Sequence, residues 1–274
     1  MCAGWTTDVE SVSRWCVLAS FTPQSDLVSA SLLHVQSDDL LTVVTTGEPK
    51  HLDLTFIATK PCGQVSATLT RPPDAWCLYI LAHGAGAGMN HPFLSSMARE
   101  LAHLGMATFR YQFPSMEAQK RRPDPAPILE TTVRSAVAAA AQAAPDLPLL
   151  AGGKSMGGRM TSRAGSVEPF PGVLGLVFLG FPLHPAGKPS TDRADHLQSV
   201  ELPMLFLQGT RDRLADLELL KPVIASLGDR AHLHLVPDGD HSFHVLKRTD
   251  RTDDEVLQEL AWTIASWAEE VLRS

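Results

Sequence analysis

Apolar and polar residues follow two alternating periods from about residue 50 onward. "HLDLTFIAT" (51–59) alternates apolar and polar positions, and "GQVSATLTRP" (63–72) follows after Pro61 and Gly63. This pattern predicts an antiparallel hairpin. "WCLYILAHG" (76–84) is a continuous apolar run ending in glycine, as expected of a strand buried on both faces of a sheet. After it, Phe93, Leu94, Met97, Leu101 and Leu104 recur at helical spacing, and Gly105 stops the pattern. Four more strands are predicted: "MATFRYQF" (106–113), "LPLLAGG" (147–153), "GVLGLVFLGF" (172–181) and "PMLFLQG" (203–209). "AHLHLVP" (231–237) adds a last one. Between them lie the alanine-rich, proline-bounded "PAPILETTVRSAVAAAAQAAP", a helix from near Met156, and "LADLELLKPVIASLG"; a final helix spans about 253–272. Segments 87–95, 114–126 and 181–202 are expected to be loops. Repeated strand–helix alternation gives a three-layer α/β architecture, a mostly parallel twisted sheet with helices on both faces. Residues 1–48 carry no clear period beyond "LLTVV", so they are set apart as an N-terminal extension from a domain at 49–274.

Composition narrows the function classes. With 44% hydrophobic and 19% charged residues, the 274-residue chain is globular in character and is not disordered as a whole. A formal charge of -7 argues against general attraction to nucleic acid or anionic membranes. The longest apolar run, at 172–181, is about half of what a membrane helix needs, and the first residues lack a secretory pattern. Cys2, Cys16, Cys62 and Cys77 form no C-x-x-C pair, so no metal site or disulfide scaffold is indicated. A cytoplasmic protein with no cofactor is the expectation.

The chemistry concentrates in "LLAGGKSMGGRM" (149–160). Gly153-Lys154-Ser155 could close a phosphate-binding loop, but that motif needs a glycine where Pro148 stands. The alternative pattern, small-x-nucleophile-x-small, is met in full by Gly153-Lys154-Ser155-Met156-Gly157. A serine on a sharp turn between strand and helix needs small neighbours two residues away on either side. Ser155 would then require a base and a carboxylate to orient it. Asp212 is preferred over Asp216 because it stands at the mouth of the loop after "PMLFLQG", with capping of the next helix as its alternative role. His241 is preferred over His244 because Gly239 permits a tight turn just before it, and Asp238 and Asp240 are assigned to turn formation. The oxyanion of the attacked carbonyl would be met by the backbone N–H of Met156 and by that of Ala85, or of Gly84 or Gly86, in "HGAGAG". That glycine-rich loop is not a dinucleotide site by its context, since no acidic ribose partner follows at the needed spacing: position 104 is Leu104.

The blocks "AHGAGAGMNHPF", "GGKSMGGRM", "GTRD" and "DHSF", in this order, resemble the α/β-hydrolase superfamily over roughly residues 50–274. They are most similar to its compact, dienelactone-hydrolase-like branch, which includes the hydrolase-like domain of a regulatory subunit of a histone-acetyltransferase complex. The resemblance implies an α/β-hydrolase fold without a large lid domain, and a triad of Ser155, Asp212 and His241 with Met156 and Ala85 in the oxyanion hole. It implies hydrolysis of small-molecule carboxylic esters through an acyl-enzyme; the rival expectation is a non-catalytic interaction or regulatory protein on the same fold. Lys154 departs from the acidic or aromatic residue common beside the nucleophile. It is expected to face solvent, with selection of an anionic substrate as the alternative.

Overall fold

The computed structural model describes residues 47–273. The extension assigned to 1–48 falls almost wholly outside them, as do Cys2 and Cys16; Cys62 and Cys77 are free thiols. The chain enters through the predicted hairpin, β1 (Lys50–Thr59) and β2 (Gly63–Arg71), paired antiparallel from Lys50 opposite Arg71 to Thr59 opposite Gly63. β3 (Cys77–Ala82), β4 (Met106–Tyr111), β5 (Leu149–Lys154), β6 (Val173–Leu179), β7 (Met204–Gly209) and β8 (Ala231–Val236) follow. Together they form an eight-stranded sheet in the order β1-β2-β4-β3-β5-β6-β7-β8, parallel from β4 through β8.

Alternation along the central strands builds two cores. In β3, Leu78 and Ile80 face one layer, which holds α3 (Ala126–Ala143), α4 (Met156–Val167) and α5 (Leu217–Ser226). Cys77, Tyr79 and Leu81 face the other, covered by α1 (Pro92–His103) and α6 (Asp253–Arg273). Both faces are therefore buried, which is why these strands read as unbroken apolar runs rather than alternating ones. Helix starts follow local chemistry. Pro92 opens α1 at its first turn, and at α6 Thr252 and Glu255 bond reciprocally, Glu255 N to Thr252 Oγ1 at 3.2 Å and Thr252 N to Glu255 Oε2 at 2.7 Å.

Several boundaries differ from the sequence reading. The loop expected at 114–126 begins with a short helix, α2 (Pro114–Glu117), and 181–202 contains a 3-10 helix, Asp192–Ser199. Neither has the apolar periodicity that would reveal it. "GVLGLVFLGF" stops as a strand at Leu179 because Gly180 turns away at φ 69°. α5 starts at Leu217 rather than Leu214, because the Leu214 amide donates to Asp212 Oδ1 and Asp216 caps the helix by accepting from Glu218 N. No lid domain is inserted among the described residues, and no helix among them is long and apolar enough to cross a membrane.

The order places the sheet's reversal at β3, whose parallel neighbours β4 and β5 are reached by connections on opposite sides. Loops following β3 and β5 thus flank one crevice at the carboxyl ends of the strands. The aromatic packing beneath β6 and β7 sets their spacing: Phe178 is fully buried, with ring centroids 4.8 Å from Phe206 and 5.6 Å from Phe181. Phe178→Ala is expected to lower the free energy of unfolding by about 3–5 kcal/mol, read from the urea midpoint at unchanged slope.

Candidate active site

Ser155 lies at the end of β5 and immediately before α4, with φ 51° and ψ -115°. A non-glycine residue with positive φ stores about 1–3 kcal/mol of strain and persists only where its surroundings enforce it. Here Ser155 N donates to Leu179 O at 3.0 Å, tying the turn to β6. The small flanks are required by contact. A Cβ at Gly157 would stand 2.6 Å from the His83 carbonyl oxygen, and one at Gly153 would collide with the Ala82 carbonyl. The sharp turn lifts the Ser155 side chain out at the N-terminus of α4, where the helix dipole favours negative charge.

His241 reaches Ser155 from the loop after β8, with Nε2 2.8 Å from Ser155 Oγ and Nδ1 2.7 Å from Asp212 Oδ2. An ionised carboxylate only accepts, so Nδ1 carries the proton and Nε2 is left to accept from the serine hydroxyl. The Asp212 side chain is wholly buried, yet its oxygens are satisfied: Oδ2 also accepts from Gln208 Nε2 at 2.5 Å, and Oδ1 from Leu214 N at 2.8 Å. The two loops are stitched together below these side chains by Arg211 N to Gly239 O at 2.8 Å and Thr210 N to Val236 O at 3.0 Å. Asp240 shapes the histidine loop, its Oδ1 accepting from Ser242 N and His244 N at 2.7 and 3.0 Å.

The alternatives weighed in the sequence stand elsewhere. Asp216 caps α5, and His244 is an exposed residue bonded to Asp253 at 2.5 Å, an interaction that raises its pKa. Met156 N heads α4 beside the serine. The loop after β3 passes over Ser155 through Gly84, where a Cβ would lie 3.6 Å from Ser155 Cβ. Gly84 O is held by His83 Nδ1 at 2.7 Å and by Ala87 N at 3.2 Å. Because a trans peptide points its C=O and N–H in opposite directions, holding that carbonyl turns the Ala85 N–H the other way. His83 Nε2 accepts from Phe113 N at 3.1 Å, so the ring is neutral, and burial pushes its pKa down to about 4.

A second serine–histidine pair, Ser162 Oγ and His196 Nε2 at 2.8 Å, has a different character. Ser162 is fully buried inside α4 and already donates to Arg159 O at 3.0 Å, so towards the imidazole its oxygen accepts. His196 is held neutral by burial and by Arg163 and Arg159, with its pKa lowered to about 4, and no carboxylate pairs with it among the described residues.

Residues 76–269 match a family model described as an alpha/beta hydrolase domain. The chain belongs to the alpha/beta hydrolase family. Solved structures share the fold at low identity. Dienelactone hydrolase from Anabaena variabilis superposes with a TM-score of 0.64 at 18% identity, covering 82% of this chain and 99% of that one. An α/β serine hydrolase without lid from Xanthomonas campestris gives 0.62 at 21% identity, covering 80% and 95%. The esterase domain of a Rhodothermus marinus protein gives 0.61 at 17%, covering 81% and 98%.

Against this α/β-hydrolase frame, one sequence expectation is corrected. Lys154 does not face solvent: its ammonium is enclosed, donates to the His241 carbonyl, and lies 5.1 and 5.9 Å from the ring centres of Phe243 and Phe93. Burial brings its pKa down to about 8, against the pull of Asp212 and Asp240. Two supporting residues were missed outright. Gln208 is a polar residue in the otherwise apolar "PMLFLQG", and His83 closes an apolar strand; a polar side chain in such a run is the signal that could have found them.

His83 gives the protein a pH signature. Its folded pKa lies below the ordinary 6.5, so the stability it contributes is present above pH 6.5 and is lost as pH falls towards 4. Replacing it by Asn, whose amide can still donate to Gly84 O, is expected to reduce the drop in unfolding free energy between pH 7 and pH 5 by about 2 kcal/mol, measured by urea unfolding at both values.

Proposed function

We propose that the protein is a serine hydrolase acting on carboxylic esters, with Ser155 as nucleophile, His241 as general base and acid, and Asp212 as the group that orients the imidazole. The observation that carries this reading is the unbroken hydrogen-bonded line from Ser155 Oγ through His241 to Asp212, with steps of 2.8 and 2.7 Å. Ser155 Oγ attacks the carbonyl carbon while its proton passes to Nε2, and the carbonyl π pair moves onto oxygen. That oxyanion is met by the N–H groups of Met156 and Ala85, neither of which has an acceptor among the described residues. Collapse expels the alkoxide, which takes the proton from Nε2, and leaves an acyl-serine. Water then attacks the acyl carbon, again giving its proton to Nε2, and the serine is restored as the carboxylic acid departs.

The surroundings support this substrate class. With no lid over the crevice among the described residues, the site suits small or exposed esters better than long lipid chains. The kinship is with the compact, dienelactone-hydrolase-like branch, as the likeness to the Anabaena variabilis enzyme supports. Selection of an anionic substrate by Lys154 is not part of this reading, since that ammonium is spent on the His241 carbonyl.

Steady-state hydrolysis of a panel of p-nitrophenyl esters tests it. Ser155→Ala is expected to lower kcat/KM by about 10⁴-fold or more, with Ser162→Ala within about twofold of the unchanged protein and acetate and butyrate esters preferred to long chains. A non-catalytic protein on this fold would instead show equal background rates in all three.

A further inference from the structure

We propose that Lys154 is a positioning residue for the reaction, one that fixes the His241 backbone so that Nε2 is held on Ser155. Consecutive residues of the chain then grip the same histidine at two points: Lys154 Nζ donates to its carbonyl oxygen, and Ser155 Oγ meets its imidazole at 2.8 Å. This role rests on the triad reading above.

Four features of the site support it. First, the donor is rooted in the centre of the sheet, because Lys154 pairs with Leu179 as the last residue of β5. His241 lies on a loop beyond the last strand, so the tether crosses from the most constrained element to one of the least. Second, space for it is built in. Gly180 adopts φ 69°, and a Cβ there would stand 3.0 Å from Lys154 Nζ, 3.4 Å from His241 O and 3.5 Å from His241 Nδ1. Third, the ammonium is caged. Phe93 of α1 and Phe243 of the histidine loop stack at 5.8 Å with their planes 14° apart, and both rings face the lysine. Phe243 itself carries a positive φ of 67°, so the loop is bent to bring this ring in. Fourth, no carboxylate forms an ion pair with Lys154 among the described residues. A solvated or ion-paired lysine would leave the loop alone; this one has the His241 carbonyl as its acceptor, strengthened by charge.

The charged and titratable groups that face the ammonium are Asp212, Asp240 and His241 itself.

Hydrolysis of p-nitrophenyl acetate by the full chain at pH 7 provides the test. Lys154→Met is expected to lower kcat by about tenfold to a hundredfold with KM within about twofold, as a displaced base does. Lys154→Cys, assayed before and after alkylation with 2-bromoethylamine, restores an ammonium at nearly the lysine length within one folded polypeptide; recovery of kcat by about fivefold or more is expected. Unchanged kcat in Lys154→Met, or no recovery of kcat on alkylation, overturns the proposal. Ser155→Ala assayed alongside separates the two readings: activity equal to the unchanged protein removes the triad and this role with it, whereas its loss together with an unaffected Lys154→Met removes the positioning role alone.

Discussion

The bent backbone at Ser155 is the constraint from which the rest of the site follows. A serine held at φ 51° after a central strand cannot sit there unless the chain on both sides is thin, and the Gly153 and Gly157 contacts with the β3 backbone show how little room there is. The strain is held by the sheet: Ser155 N is bonded to Leu179 O, and β5 is flanked by β3 and β6 within a core closed on both faces. From that fixed point the hydroxyl has one direction to go, out over the crevice at the reversal of strand order.

Polar groups reach this point only where burial is matched by bonding. Asp212 is wholly buried, yet three donors hold its oxygens, so its charge is not left alone in a poorly polarisable interior. His83 takes the opposite course, staying neutral so that one ring nitrogen can donate to Gly84 O and the other accept from Phe113 N. Lys154 is enclosed by two aromatic faces and the carbonyl of His241. All three are supports: Asp212 and Lys154 hold His241 by its imidazole and its carbonyl, and His83 holds the loop after β3.

Much of this was legible in the chain because it depends on local periodicity and on residues adjacent in sequence. The parallel sheet was readable from apolar runs bounded by turn residues, and the serine turn from the two glycines that sterics demand. Asp212 and His241 could be nominated because open α/β sheets gather loops at one edge, and the geometry brings both to Ser155 while leaving Asp216 and His244 aside. What was not legible depends on contacts between distant segments. The ammonium of Lys154 turns inward because Gly180, 26 residues on, leaves it room, and no period encodes that. The start of α5 shifts because the Asp212 carboxylate captures the Leu214 amide, a competition invisible to helical spacing. α2 and the 3-10 turn at Asp192–Ser199 are too short and too polar to declare themselves.

Reaction of the intact protein with a fluorophosphonate, followed by mass-spectrometric mapping of the modified peptide, bears most directly on the central claim. A phosphonyl adduct on Ser155, absent when the protein is first unfolded, is the result expected of a hydroxyl activated by His241. An adduct on Ser162 in its place, or a folded protein that takes no label at Ser155, would contradict the account.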